Sequence, residues 1–190
     1  MFDRLDPKEG EILLWIQEHL RANWLTPIMK AITYLGEVGW FWLVVSIGFM
    51  IWKKYRPVGV VCLISLVTSF LVNTIVIKHL FERARPYETI EGLTSLIGKQ
   101  SEYSFPSGHA TAAFAVSVII FMLMPKKFGI PALILAFLIS FSRLYVGVHY
   151  PTDILYGCVS ATIFSVICAL VYKKKFSQKY PAGDRIDQAV

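Results

Sequence analysis

Hydrophobic residues run through this chain in long blocks, and polar residues interrupt them at only a few places. Five blocks are candidates to cross a bilayer: residues 36–52, 57–77, 103–124, 128–148 and 154–172. A span needs roughly 20 residues at about 1.5 Å each. The first block is short by that measure; the other four fit. Ahead of them, Ile12, Trp15, Ile16 and Leu20 recur at helical spacing, with charge on the opposite face. A second short segment, 25–35, begins near Pro27 and stops at Gly36. Glu11, Glu18, His19, Arg21 and Lys30 make neither piece a comfortable span. Both read as helices that lie at the interface or cap the bundle, with a single tilted span as the alternative. The pattern predicts an all-α, integral-membrane helical bundle: five transmembrane helices plus N-terminal interfacial helices. It divides the chain into an N-terminal part (1–36), a transmembrane domain (37–175) and a polar tail (176–190).

Composition agrees with this reading. Of 190 residues, 55% are hydrophobic and 17% charged, too apolar for an ordinary soluble domain. The net charge of +6 could suggest nucleic acid as a partner. Its distribution excludes that reading, because much of it lies beside the apolar blocks. Lys53, Lys54, Arg56, Lys126, Lys127, Lys173, Lys174 and Lys175 flank one set of block ends. The positive-inside rule makes that side cytoplasmic, with the C-terminus, and the other side external. Arg4, Lys8, Arg21 and Lys30 in the N-terminal part run against this. Cys62, Cys158 and Cys168 sit inside apolar stretches with no CxxC spacing, so they read as small core residues. The charged N-terminus shows no cleavable signal peptide.

Three polar islands border the blocks on the external side: Lys78 to Pro86, Pro106 to His109, and Ser142 to Asp153. Polar groups at membrane depth are costly, so their default reading is functional. Lys78 and Arg85, seven residues apart, would face the same way on a helix that Pro86 ends. Two cations there suit a phosphate, with arginine offering a bidentate fork. Pro106-Ser107-Gly108-His109 opens a helix whose free N–H groups suit an anion, and Gly108 permits close approach. His109 in the first turn suits a proton donor that acts with substrate present. Arg143 is the only charge in its block and needs a partner. His149 and Asp153, four apart, can form an imidazole–carboxylate pair in which one nitrogen is held and the other is free to attack. Together these groups match phosphoryl transfer through a phosphohistidine. One inward carboxylate argues against a magnesium or two-metal site. Arg83 and Glu82 read as residues that pair on the surface, with contact to a headgroup as the alternative, and His79 and His19 as bystanders.

Lys78-x6-Arg85-Pro86, Pro106-Ser107-Gly108-His109 and Ser142-Arg143-x5-His149-x3-Asp153 resemble the three-part signature of the type 2 phosphatidic-acid phosphatase family. All three parts match in order. The resemblance implies His149 as nucleophile, Asp153 as its orienter and His109 as general acid. It implies Lys78, Arg85, Ser107, Gly108 and Arg143 as phosphate ligands, with no metal and no cofactor. It implies a lipid phosphate in the bilayer as substrate. Small bacterial members with short external loops resemble undecaprenyl-diphosphate phosphatases; phosphatidate or phosphatidylglycerophosphate is the alternative. A vanadium haloperoxidase shares the signature, but those enzymes are soluble. A channel or transporter is disfavoured because the middles of the blocks carry no ionisable residue.

Overall fold

The structure is a computed structural model that describes residues 7–179. The polar tail expected over 176–190 lies for the most part outside the described residues. Helix α1 (Pro7–His19) is followed by α2 (Leu25–Leu35), a short 3-10 turn over Glu37–Gly39, and α3 (Trp40–Ile51). Then come α4 (Arg56–Phe70), a π-helical stretch (Leu71–Ile77), and the single turns α5 (Lys78–Phe81) and α6 (Pro86–Thr89). The long helices α7 (Gly108–Leu123), α8 (Lys126–Tyr145) and α9 (Pro151–Lys179) complete the chain.

Helix α7 is the axis of the bundle. It packs against α3, α4, α8 and α9, and every residue from Ala110 to Ile120 is buried. A helix that is apolar all round belongs in the centre of its bundle, and this one is. Its alanines let neighbouring backbones approach closely. Helix α9 meets it along a stripe of small residues at four-residue spacing: Gly157, Ala161, Ser165 and Ala169, all buried. A Cβ on Gly157 would lie 2.9 Å from the Ser107 carbonyl oxygen, so only glycine admits this contact. Ser165 Oγ donates to the Ala115 carbonyl at 3.0 Å or to the Ala161 carbonyl at 2.8 Å, and pairs with Ser65 at 3.0 Å. Asp153 stands one turn before Gly157 on the same face, so the packing that seats α9 also turns Asp153 inward. The opposite face of α9 exposes Leu155, Val159, Ile163 and Ile167. An outer surface this apolar suits lipid.

Among the described residues, three segments are long and apolar enough to cross a membrane: Lys53–Thr89, Lys126–Tyr145 and Pro151–Lys175. Helices α2 and α3 pass the same test only as a pair, bent by 43° at the break between them. Helix α7 is apolar but has only 16 residues. All five blocks are therefore helical, but not as five independent spans. Segment 25–35 belongs with the block that follows it, because Val38 and Gly39 take left-handed conformations that bend the chain without separating the two helices. Helix α1 does cap the bundle, but it buries Leu13 and Ile16 and exposes Ile12 and Trp15. Of the apolar face expected for it, Ile16 and Leu20 pack inward while Ile12 and Trp15 do not, because it docks on α8 and the 90–97 loop through Leu13 and Ile16.

Candidate active site

The three islands meet at one end of the bundle, around a cavity of about 430 Å³. Lys78, Arg85, Gly108, His109, Arg143 and His149 line its polar end. Leu43, Leu66, Val67, Phe70 and Leu71 line the other end. Leu43, Val67, Phe70 and Leu71 are also exposed on the outer surface. The cavity therefore opens sideways, between α3 and α4, onto the lipid-facing side. Its volume suits a headgroup and the start of a tail, and most of a long lipid would stay outside.

The first island reaches the cavity by a different route from the one expected. Its helix stops at Phe81, and Glu82 takes a left-handed conformation (φ 44°). Pro86 opens α6 instead of ending a helix. Lys78 and Arg85 therefore converge through a turn, not through helical register. Arg85 is almost fully buried. Its Nε donates to the Glu102 carbonyl at 2.9 Å and its Nη1 to the Val148 carbonyl at 2.8 Å. The same Nη1 lies 3.1 Å from His149 Nε2. Arginine can only donate, so the nitrogen facing it carries the lone pair and Nδ1 carries the proton. Burial first, then the charges of Arg85, Arg143 and Lys78, hold the His149 imidazole well below its ordinary pKa. It is neutral at neutral pH, with Nε2 toward the cations and the cavity.

Behind the imidazole, Nδ1 is 3.4 Å from Asp153 Oδ2, at the long end of the hydrogen-bond range. Such contacts commonly tighten when substrate binds. The same oxygen accepts from the Tyr150 N–H at 2.8 Å and from the Ser104 hydroxyl. Asp153 lies in the first turn of α9, where the helix dipole favours a carboxylate.

Helix α7 begins where the motif predicts. Ser107 is its N-cap, its Oγ accepting from the Ala110 N–H at 3.4 Å. Gly108 and His109 line the cavity, whereas Ser107 is buried behind it. Arg143 has Thr33 of α2 as its partner, Nη1 to Oγ1 at 2.8 Å. No carboxylate pairs with it among the described residues. The Arg143 Nε, the His109 Nε2 and the Thr74 Oγ1 are buried without a hydrogen-bond partner. Buried polar atoms are rarely left unpaired, and these three surround a cavity suited to an anion.

Several residues here were missed or misjudged from sequence. Glu102 pairs with Lys78 at 2.6 Å, and Lys78 holds its carboxyl below the usual range. Glu37 lies 3.9 Å from His109 Nε2. Three cavity cations thus face two carboxylates, where the sequence suggested a single inward carboxylate. Arg83 is not a surface residue. It is 8% exposed and paired to Asp153 and Glu9, because the turn at Glu82 folds it under the third island. Glu82, His79 and His19 are exposed, as expected. Among the described residues, no cluster of three or more His, Cys, Asp or Glu side chains is placed to hold a metal ion.

The family model described as the PAP2 superfamily matches residues 57–177. The chain belongs to the PAP2 superfamily. It is a membrane lipid phosphatase of that family, a metal-independent hydrolase of lipid phosphates. It is 31% identical to an undecaprenyl-diphosphatase from Sulfolobus acidocaldarius over 73% of this chain and 68% of that protein. It is also 31% identical to phosphatidylglycerophosphatase B from Bacillus subtilis, over 84% and 82%. Its fold matches the crystal structure of a transmembrane PAP2-type phosphatidylglycerolphosphate phosphatase from Bacillus subtilis. That match has a TM-score of 0.73 at 27% identity and covers 94% of this chain and 88% of the other.

Proposed function

We propose that this PAP2 phosphatase hydrolyses undecaprenyl diphosphate to undecaprenyl phosphate at the external membrane face, through a phosphohistidine on His149. The observation that carries the mechanism is the Arg85–His149–Asp153 arrangement, which leaves the Nε2 lone pair of a neutral imidazole at the cavity's polar end. Lys78, Arg85 and Arg143 hold the phosphoryl oxygens, together with the backbone N–H groups at Gly108 and the start of α7. Ser107 supports that cradle by capping the helix. Once the Arg85 donor turns from Nε2 to a phosphoryl oxygen, Nε2 attacks phosphorus as the bond to the lipid-side oxygen breaks, and His109 protonates the departing oxygen where it needs a proton. Asp153 offsets the positive charge the ring acquires. Water then attacks the phosphohistidine and releases phosphate and His149.

Phosphatidate or phosphatidylglycerophosphate is the second reading of the substrate, supported by the phosphatidylglycerophosphatase among the relatives. The side-opening cavity suits either headgroup and reads little of the tail. The haloperoxidase reading is disfavoured by the membrane-length segments. Residues 37–175 would be the phosphatase domain, with the N-terminal helices covering its site end.

One assay tests both substrate and chemistry. Phosphate release from undecaprenyl diphosphate and from phosphatidate, compared in one detergent, should favour the diphosphate and be unchanged by EDTA. Faster release from phosphatidate would reverse the substrate assignment. Loss with EDTA and recovery with magnesium would sink the mechanism. Orientation has its own test at Lys99, whose side chain is 83% exposed in the loop beside the site. A Lys99→Cys variant should react with a membrane-impermeant thiol reagent in whole cells, and protection there would place the site inside.

A further inference from the structure

The Arg83 guanidinium sits between two buried carboxylates. Its Nη1 donates to Asp153 Oδ1 at 2.6 Å and to Thr152 Oγ1 at 2.8 Å. Its Nη2 donates to Glu9 Oε2 at 2.6 Å. The guanidinium carbon lies 3.8 Å from the centre of the Tyr150 ring. The other Glu9 oxygen accepts from the Thr152 N–H at 2.9 Å and from its hydroxyl at 2.7 Å. Glu9 is 7% exposed and belongs to α1, more than 140 residues from Asp153 in sequence. None of Glu9, Arg83, Thr152 and Asp153 lines the cavity. This chain of groups therefore acts on His149 from behind, without touching substrate.

We propose that Glu9 and Arg83 are positioning residues for phosphoryl transfer, and that α1 is thereby part of the catalytic machinery. This rests on the reading of His149 as nucleophile. Arg83 and the Ser104 and Tyr150 donors fix both Asp153 oxygens, which leaves the carboxylate one orientation. Arg83 alone would also cancel the charge of Asp153. Glu9 shares the guanidinium, so the three groups keep one net negative charge behind His149. That charge is needed when Nε2 bonds to phosphorus and the ring becomes cationic. Two buried carboxylates on one cation form an expensive arrangement if its only task is to dock a helix. Glutamine at position 9 could keep its oxygen on Thr152, which docks α1 and caps α9, but its amide nitrogen could not accept from Arg83.

The experiment follows covalent enzyme phosphate in single turnovers of the full chain in detergent. The probe is farnesyl diphosphate labelled in its terminal phosphate. The variants are Glu9→Gln, Arg83→Lys and the pair together. Lysine keeps the charge of Arg83 but cannot bridge both carboxylates. The rate constant for forming the covalent phosphate should fall about tenfold in Glu9→Gln and about a hundredfold in Arg83→Lys. The double variant should be no slower than Arg83→Lys, because Glu9 acts through Arg83. A docking role alone predicts earlier melting with an unchanged rate constant in the folded enzyme. That result, or additive losses in the double variant, overturns the proposal. If Glu9→Gln does not fold, the rate constant of Arg83→Lys decides. A wild-type enzyme that turns over with covalent phosphate on another residue would instead refute the nucleophile assignment, and this inference with it.

Discussion

Replacing His149 by alanine abolishes turnover, with a loss of at least about 10⁴-fold in kcat. The expectation rests on how completely the structure commits this side chain. It is 2% exposed, and its two nitrogens face opposite kinds of partner. Arg85 approaches Nε2 and Asp153 approaches Nδ1. Among the described residues at the cavity's polar end, no other side chain is held by a carboxylate on one ring nitrogen with its second nitrogen at the cations. His109 is the nearest rival, but it lies in the first turn of α7 beside the proposed oxyanion cradle. Alanine at 149 leaves the three cations in place, so the variant should still bind phosphate. Phosphate release and substrate-analogue binding, measured together, separate the loss of chemistry from a loss of fold.

The second large effect depends on the leaving group. His109→Ala should cost about 10²- to 10³-fold on a lipid monoester, whose alkoxide cannot depart without a proton. It should cost far less on undecaprenyl diphosphate, because a lipid phosphate is a much weaker base than an alkoxide. An aryl phosphate should behave like the diphosphate. Rates of the variant on phosphatidate, undecaprenyl diphosphate and p-nitrophenyl phosphate check this. Equal losses on all three would remove His109 from the role of acid. Its geometry is consistent with that role: the ring lines the cavity, and its Nε2 has no hydrogen-bond partner. A Cβ on Gly36 would meet the ring at 2.8 Å, so the bend between α2 and α3 seats the imidazole closely.

Much of this site could be read from the sequence, because its parts lie within three short islands and each island ends an apolar block. Helix α7 starting at Gly108, and Asp153 in the first turn of α9, follow from local rules of capping and spacing. The small-residue stripe on α9 carries Asp153 inward by the same helical arithmetic. What escaped the sequence was set by tertiary contacts. Arg83 looked like a surface residue because nothing local marks its burial. Its partners are Asp153, 70 residues on, and Glu9, 74 residues back. Thr33 as the partner of Arg143 depends on how α2 packs against α8, which the pattern of α2 does not specify. Glu102 and Ser104 lie outside the three islands and carry no local signal of a role, yet their partners are Lys78 and Asp153. The left-handed Glu82 could not be foreseen, since glutamate carries no signal for that conformation.

The central claim is that phosphate passes through His149. The most direct test quenches the enzyme in base during turnover of a labelled lipid diphosphate, digests it and locates the label by mass spectrometry. The account predicts a base-stable phosphate on the peptide that carries His149, absent from the His149→Ala variant. Label on Ser107, or turnover with no covalent phosphate on the chain, would contradict it.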